Sequence, residues 1–427
     1  MVPAVAAAAL AAALVTAGRP APARAAAASA AIRVPCAPAT LASDISSAAS
    51  GATLTLAARC RYRLAAALPT VSQDLTIEGN GATLARSTAE GTPAFTILTV
   101  AGSTLTVSRL SFTNGRGGIA VLQSANLSVT GGTFSGNQAP QGGAVDLDGS
   151  PHKVTITGVT FTGNTTSGQD GWGGAIYNGL NAGTTIARST FTGNTAGQGG
   201  AIFDFAVYGA SITGTTFTRN HAKDGGAILN DPIGGEYLAS DTIRDNSASQ
   251  DGGGIYGNET TVTVRNSVIS GNQAGADGGG IYQRGAFAPK GGSQLTGDRL
   301  TGNRAAAGGG LFDDASFATF TGATISGNRA TASGGGVENL ADRDGFGSVS
   351  FMTSKVTGNQ AGTDGGGVYN AGAMAASNTS ITYNRAAGGG GIYDGPGTDT
   401  VTLARSRVQH NTPDNCEPAG SITCCRR

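Results

Sequence analysis

The sequence predicts an all-β protein wound as a parallel β-helix, and three observations carry that expectation. A phrase Phe/Ile/Leu/Val-x-x-Asn recurs along most of the 427 residues, a second phrase Gly-Gly-Ala/Gly-Ile/Val/Leu alternates with it, and the segments between them read as strands. The closing residues of the first phrase are Asn137, Asn164, Asn194, Asn220, Asn246, Asn272, Asn303, Asn328, Asn359, Asn384 and Asn411, at intervals of 25 to 31 residues. The second phrase begins at Gly142, Gly173, Gly199, Gly225, Gly252, Gly278, Gly308, Gly334, Gly365 and Gly389. A period of roughly 20–50 residues marks a solenoid or a propeller. Runs such as KVTITGVTF (153–161) and TVTVRNSVI (261–269) are β-branched and aromatic with a period of two, which is strand patterning. No amphipathic stretch of helical length separates them, so leucine-rich and ankyrin repeats are excluded. A propeller blade needs about 40–45 residues. A spacing near 27 residues instead fits one coil of three short strands and three turns. About 12 such coils at ~4.8 Å give a rod roughly 55–60 Å long.

In chain order, residues 1–25 read as a secretory signal: positions 4–15 are almost all Ala, Leu and Val, and Ala23-Arg24-Ala25 offers a small-x-small cleavage site. The run is too short to span a bilayer, which takes about 20 apolar residues, and no later segment is apolar enough. A secreted chain without a membrane span is expected. Residues 26–60 read as an N-terminal cap, with a short helix in ATLASDISSAAS (39–50), where Leu41 and Ile45 lie four apart, followed by the first strand. Residues 61–411 form the β-helix and 412–427 a closing tail. The caps answer the open strand edges at the two ends of the rod, which otherwise invite aggregation.

The repeated words have physical reasons. A corner Asn tolerates left-handed backbone geometry, and in register its amide can bond to the Asn above and below. The Gly pair supplies turn conformations closed to other residues. The aliphatic after it, and the apolar residue three before each Asn, point inward. One coil cannot bury its own core, but a stack can.

The five cysteines sit at the ends, Cys36 and Cys60 near the start and Cys416, Cys424 and Cys425 near the finish. In an exported protein these read as disulfides: Cys36–Cys60, and Cys416 with Cys424 in preference to Cys425, one thiol being left over. Charge is balanced at 27 basic and 27 acidic residues, which argues against a nucleic-acid partner; a monomer is expected. No Cys/His constellation has zinc spacing, so no metal site and no cofactor are expected. Calcium is conceivable but not indicated.

GGAI (173–176) and FTGN (161–164) are similar to the repeats of chlamydial polymorphic outer membrane proteins. The chain as a whole resembles exported right-handed parallel β-helix repeat proteins of actinobacteria, over roughly residues 34–425. The segment VPCAPATLASDISSAASGATLTLAARCRYRL (34–64) and the tail NTPDNC (411–416) carry that resemblance. It implies a right-handed coil and says little about activity. The first coil departs from the pattern: SFTNG (111–115) is one residue short of the F-x-x-N spacing.

Right-handed β-helices include pectate lyases and polygalacturonases, but fold is not function. Asn-Thr-Asp and His-Gly are absent here, which weakens a hydrolase. The period breaks at QRGAFAPKGGS (283–293) and ENLADRDGFGS (338–348), with LFDDASF (311–317) on the coil between. Insertions of this kind are where sites are grafted. Stacking would gather Arg284, Lys290, Asp313, Asp314, Asp342, Arg343 and Asp344 into a cluster for carbohydrate or metal chemistry, or into a surface salt-bridge network. A second feature is the residue after each Gly-phrase aliphatic: Tyr177, Phe203, Tyr256, Tyr282, Phe312, Tyr369 and Tyr393, with Asp146 beginning the row and Leu229 and Glu338 interrupting it. Alternation sends it outward, where exposed rings could stack on sugars. A third is the Asp before several Gly pairs: Asp224, Asp251, Asp277 and Asp364, which read as turn residues capping their own backbone. The expected function is recognition of a polysaccharide or cell-surface polymer along the aromatic face. The alternatives are a polysaccharide lyase or hydrolase at the 284–344 loops, and a structural or adhesive rod.

Overall fold

A computed structural model of the protein describes residues 31–148, 153–168, 170–179, 183–231, 234–285, 292–342, 345–396, 400–418 and 422. The expected signal segment, 1–25, lies outside them. The described chain is a parallel β-solenoid of about 14 turns with one short helix, Pro38–Ser47.

One coil shows the scheme. Strands Thr261–Arg265, Val268–Ser270, Gln273–Ala274 and Ile281–Arg284 are followed one turn later by Gly292–Thr296, Arg299–Thr301, Arg304–Ala305 and Leu311–Asp314. Each pairs in parallel with its successor, so Ile269 lies opposite Leu300 and Ile281 opposite Leu311. The first two strands of every coil belong to one sheet of 27 strands, joined because Leu75–Arg86 and Thr104–Thr113 run unbroken past the corner. The strands after the Gly pairs form a second sheet of 13. The repeated phrases imply about twelve coils; the structure adds turns below them. Strands Ala52–Leu56, Leu75–Arg86 and Thr104–Thr113 stack in parallel, with a register shift between Glu78 and Ala82, without carrying the Asn phrase.

The interior is a set of one-residue columns. Phe112, Phe134, Phe161, Phe191 and Phe217 are fully buried and stack with ring centroids 4.6–5.1 Å apart. Such pairs contribute about 0.5–1.5 kcal/mol beyond the area they bury. Beside them runs the Asn column. The Nδ2 amide of Asn164 donates to Oδ1 of Asn194 (3.0 Å) and to the Phe134 carbonyl (3.0 Å), while its own Oδ1 accepts from the backbone N–H and Nδ2 of Asn137. The pattern repeats to Asn411, whose amide ends on Asn415. Every ladder amide is thus satisfied, where an orphaned buried group would cost about 1–3 kcal/mol.

The ladder Asn residues are not left-handed, contrary to the expectation. The positive φ belongs to the residue before each one: Gly136, Gly163, Gly193, Arg219, Asp245, Gly271, Gly302, Gly327, Gly358, Tyr383 and His410. The corner must turn just before the amide enters the core. The same fact explains the short first coil. Asn114 (φ 60°) occupies the corner position, and Gly115 stands where the Asn would be, its N–H donating to Asn137 Oδ1 at 3.0 Å.

The Gly pairs divide their work. Gly173 has φ +65°, whereas Gly174 has an ordinary φ and is required by contact: a Cβ there would meet the Gly200 carbonyl of the next coil.

Both ends are closed. Leu41 and Ile45 of the helix are fully buried against the first coil, and Cys36–Cys60 is a disulfide with Cα atoms 5.7 Å apart. At the far end Cys416–Glu417 adds the last strand, pairing with Ile392–Asp394. Cys416 is disulfide-bonded; its expected partner Cys424 lies outside the described residues, as does Cys425.

Candidate ligand-binding face

In the strand after each Gly pair, Ile176, Ile202, Ile228, Ile255, Ile281 and their equivalents point inward with no exposure. The next residue points outward, and the register aligns Asp146, Tyr177, Phe203, Leu229, Tyr256, Tyr282, Phe312, Glu338, Tyr369 and Tyr393 in one row. The row exists, but its rings are not bare. Tyr177, Phe203, Tyr282 and Phe312 are buried, and Tyr256, Tyr369 and Tyr393 are half-buried. Coils about 4.8 Å apart place successive rings at stacking distance, so neighbours occupy one another's faces. Centroids are 4.9 Å apart for Tyr256–Tyr282, 5.4 Å for Tyr282–Phe312 and 5.4 Å for Tyr369–Tyr393. Burial pushes the Tyr177 and Tyr256 hydroxyls up to about 12. What a ligand would meet here is mainly ring edges and the polar groups around them.

Beside the row stand two exposed rings. Trp172, the sole tryptophan, is 40% exposed and stacks on Tyr177 and Phe203 with centroids 5.8 and 5.5 Å away. Phe205, 39% exposed, lies against Phe203 at 6.4 Å. Neither residue was identifiable from the repeat; Trp172 occupies the place that Asp takes in later coils, bridging to Gln141 and Gln198 on its two sides.

The expected charge cluster divides. Strand alternation from Leu311 turns Asp313 inward, where it has no exposure, and burial holds its carboxyl well above the usual range. It belongs to an interior polar column with Gln283 and Asn339, not to a surface site. Arg284 and Asp314 do meet, lying opposite each other on adjacent coils. The Tyr282 hydroxyl donates to Asp314 Oδ2 at 2.8 Å, and Arg284 lies beside the Tyr256 hydroxyl. Asp342 accepts from the Phe346 N–H of its own loop at 2.9 Å. Lys290, Arg343 and Asp344 lie outside the described residues. The Asp line caps the neighbouring coil, not its own turn: the N–H of Asp251 donates to Asp224 Oδ1 (3.2 Å) and that of Asp277 to Asp251 Oδ1 (3.0 Å). Among the described residues no three His, Cys, Asp or Glu side chains are placed to hold a metal ion.

The row opens at its first residue onto a cleft. One part, about 450 Å³, is lined by Arg86, Asn114, Arg116, Gln138 and Ser167; the other, about 260 Å³, by Phe95, Thr96, Arg116 and Asp146. Arg86 pins the overhanging loop, its Nε donating to the Asn114 carbonyl (2.7 Å) and its guanidinium reaching the Thr92 carbonyl. Burial, and then the neighbouring Asp148 carboxylate, push Asp146 up to about 7. Asp148 itself accepts from Gln141 Nε2 at 3.3 Å. Further along the row Glu338, also raised to about 7 by burial, receives the Ser333 hydroxyl at 2.8 Å.

Comparison with known proteins agrees with the coil. The model of the right-handed β-helix region matches residues 72–195, and that of the chlamydial polymorphic membrane protein repeat matches 188–204, 214–231 and 266–284. No curated protein matches the sequence. Among solved structures, tailspike protein 3 of bacteriophage CBA120 aligns at 14% identity with a TM-score of 0.37, over 89% of this chain and 59% of that one. This chain thus spans under two thirds of the tailspike. From its repeats and its stacked coils, the chain is a repeat-containing right-handed parallel β-helix protein.

Proposed function

We propose that the protein is an exported rod that recognises a polysaccharide or other cell-surface polymer along its outward aromatic row. The observation that carries this reading is Trp172, an exposed indole held rigid by two buried rings and placed next to a polar cleft. An amphipathic ring of this kind offers contact area at low entropic cost. Two further features support the reading. The row is linear and rigid, with the half-buried edges of Tyr256, Tyr369 and Tyr393 continuing it along the axis. Disulfides at both ends fit an oxidising compartment, and no helix among the described residues is long and apolar enough to cross a membrane.

Catalysis at the 284–344 loops is the weaker reading, because Asp313 is buried inside the coil while Arg284 and Asp314 face outward. Retention on immobilised neutral and acidic polysaccharides tests the proposal, with product length scored in the same samples. Trp172→Ala is expected to weaken retention tenfold or more without shortening of the polymer in either protein. Unchanged retention of the variant would overturn the assigned face, and shortening by the wild type would make the protein an enzyme.

A further inference from the structure

The cleft at the start of the row brings Arg86, Arg116 and Asp146 to one concavity. The Arg116 side chain lines both parts of it and makes no hydrogen bond or ion pair with any described residue. The one ion pair among the described residues is Arg244–Asp245, on the open surface. Arg86, although tied to backbone carbonyls, keeps its charge in the same wall. Asp146 lines the smaller part together with Arg116, and its Oδ1 is buried with no protein partner. Arg116 is exposed and tied to no protein group, so its fork is open to an incoming anion, and a buried acceptor oxygen lies in the same concavity.

We infer that this cleft seats a carboxylate-bearing sugar of an acidic polysaccharide, its carboxylate on the Arg116 guanidinium, with the adjoining part of the chain stacked on Trp172. This rests on the reading of the row as a polysaccharide-binding face. Arg is suited to the task because its planar fork meets a carboxylate through two parallel hydrogen bonds. The register supports one continuous path. Arg116 lies one coil before Asp146, and Trp172 one coil after it, so the span along the axis is about two strand spacings, ~10 Å. Gln141, which bridges to Trp172, lies between. A monoanionic carboxylate suits a cleft whose own acid is half-protonated near neutral pH. A sulfate ester can also meet the fork through two of its oxygens, so it serves as the control for carboxylate specificity, and a neutral sugar leaves Arg116 uncompensated.

The test compares polygalacturonate, its carboxyl-reduced neutral counterpart and dextran sulfate by affinity electrophoresis, using the wild type, Arg116→Gln and Trp172→Ala. The expected result is that the wild type binds polygalacturonate at least tenfold more tightly than the reduced polymer. Arg116→Gln should abolish that preference while retaining the neutral binding, and Trp172→Ala should weaken both. An unaltered melting midpoint is expected of Arg116→Gln, because the side chain holds nothing in the fold. If Arg116→Gln binds polygalacturonate as well as the wild type does, or if the reduced polymer binds equally well, the carboxylate assignment is overturned and polysaccharide recognition stands. Equal Arg116-dependent binding of dextran sulfate would overturn it in favour of a general anion site. Binding of none of the three would overturn both readings.

Discussion

The backbone N–H of Asn246 and its Nδ2 amide both donate to one oxygen, Oδ1 of Asn272, each at 3.0 Å. A single side chain therefore satisfies two donors of the coil before it, and its replacement should be felt in both coils. Asn246→Ala would strand the N–H of Asn220, one of the two hydrogens on its Nδ2, which keeps its bond to the Phe191 carbonyl, and would remove the donor to the Phe217 carbonyl. At about 1–3 kcal/mol per buried orphan, the loss should be about 3 kcal/mol or more. Asn137, which opens the ladder and whose Oδ1 accepts only from the Gly115 N–H, strands no amide of a preceding Asn and should cost less on the same change. Denaturant midpoints of the two variants check this; equal losses would mean that the ladder is not the source of the stability.

The corner glycines give a second contrast. Gly163 has φ +58° with open space around its missing Cβ, whereas a Cβ on Gly174 would meet the Gly200 carbonyl. Gly163→Ala should cost only the left-handed backbone term, about 1–2 kcal/mol. Gly174→Ala forces two coils apart and should cost about 3 kcal/mol. Arg219, Asp245 and Tyr383 already stand at the Gly163-type corner, so the first substitution should still fold. A Gly174→Ala protein as stable as Gly163→Ala would refute the close-approach account.

These contrasts mark what the sequence could reveal. The Asn ladder was legible because it uses every polar atom of one side chain, so no other residue can stand in and the letter repeats. A second ladder, five residues earlier, went unread. There Ser189 N–H donates to Thr215 Oγ1, Thr215 N–H to Asp241 Oδ1, and Ser267 N–H to Asp298 Oδ1. It asks only for one acceptor oxygen, which Ser, Thr or Asp supplies equally, so the identity drifts while the physics holds. The direction of Asp313 was readable from its two-residue offset to Leu311, but the density of charge in the sequence drew it to the surface. Trp172 gave no signal at all, because a binding residue that occurs once leaves no period.

The interior also makes a pH prediction. Asp204 and Glu236 are buried in contact, with 0% and 1% exposure, and neither has a basic partner. Burial, and then the Asp204 carboxyl, hold Glu236 well above its ordinary 4.5; burial raises Asp204 likewise. The folded pair therefore keeps protons that the unfolded chain releases. Its stabilisation is complete below about pH 4 and is lost as pH rises toward the folded values. Asp146, Asp241, Asp298 and Glu338, raised to between about 6 and about 7, act in the same direction. The protein should be more stable at pH 5 than at pH 8, and Glu236→Gln should flatten the slope by up to one proton, about 1.4 kcal/mol per pH unit. Midpoints measured across that range decide it, and a wild type that gains stability with rising pH would sink the account.

The N-terminal staple should act locally. In a solenoid each coil contacts only its neighbours, so a constraint at one end propagates weakly to the middle. The disulfide closes a loop of 24 residues around the helix Pro38–Ser47, a constraint of about 3 kcal/mol in the chain-entropy account. Replacing Cys36 and Cys60 together by Ala should release Leu41 and Ile45 from the first coil and expose its strand edge. Hydrogen exchange should then quicken over residues 31–64 while the amides of Asn220, Asn246 and Asn272 stay protected. The freed edge should also raise the tendency to associate, because an unpaired strand is a template for another chain. Uniform loss of protection along the whole rod would show that the coils unfold as one unit and that the cap holds all of them.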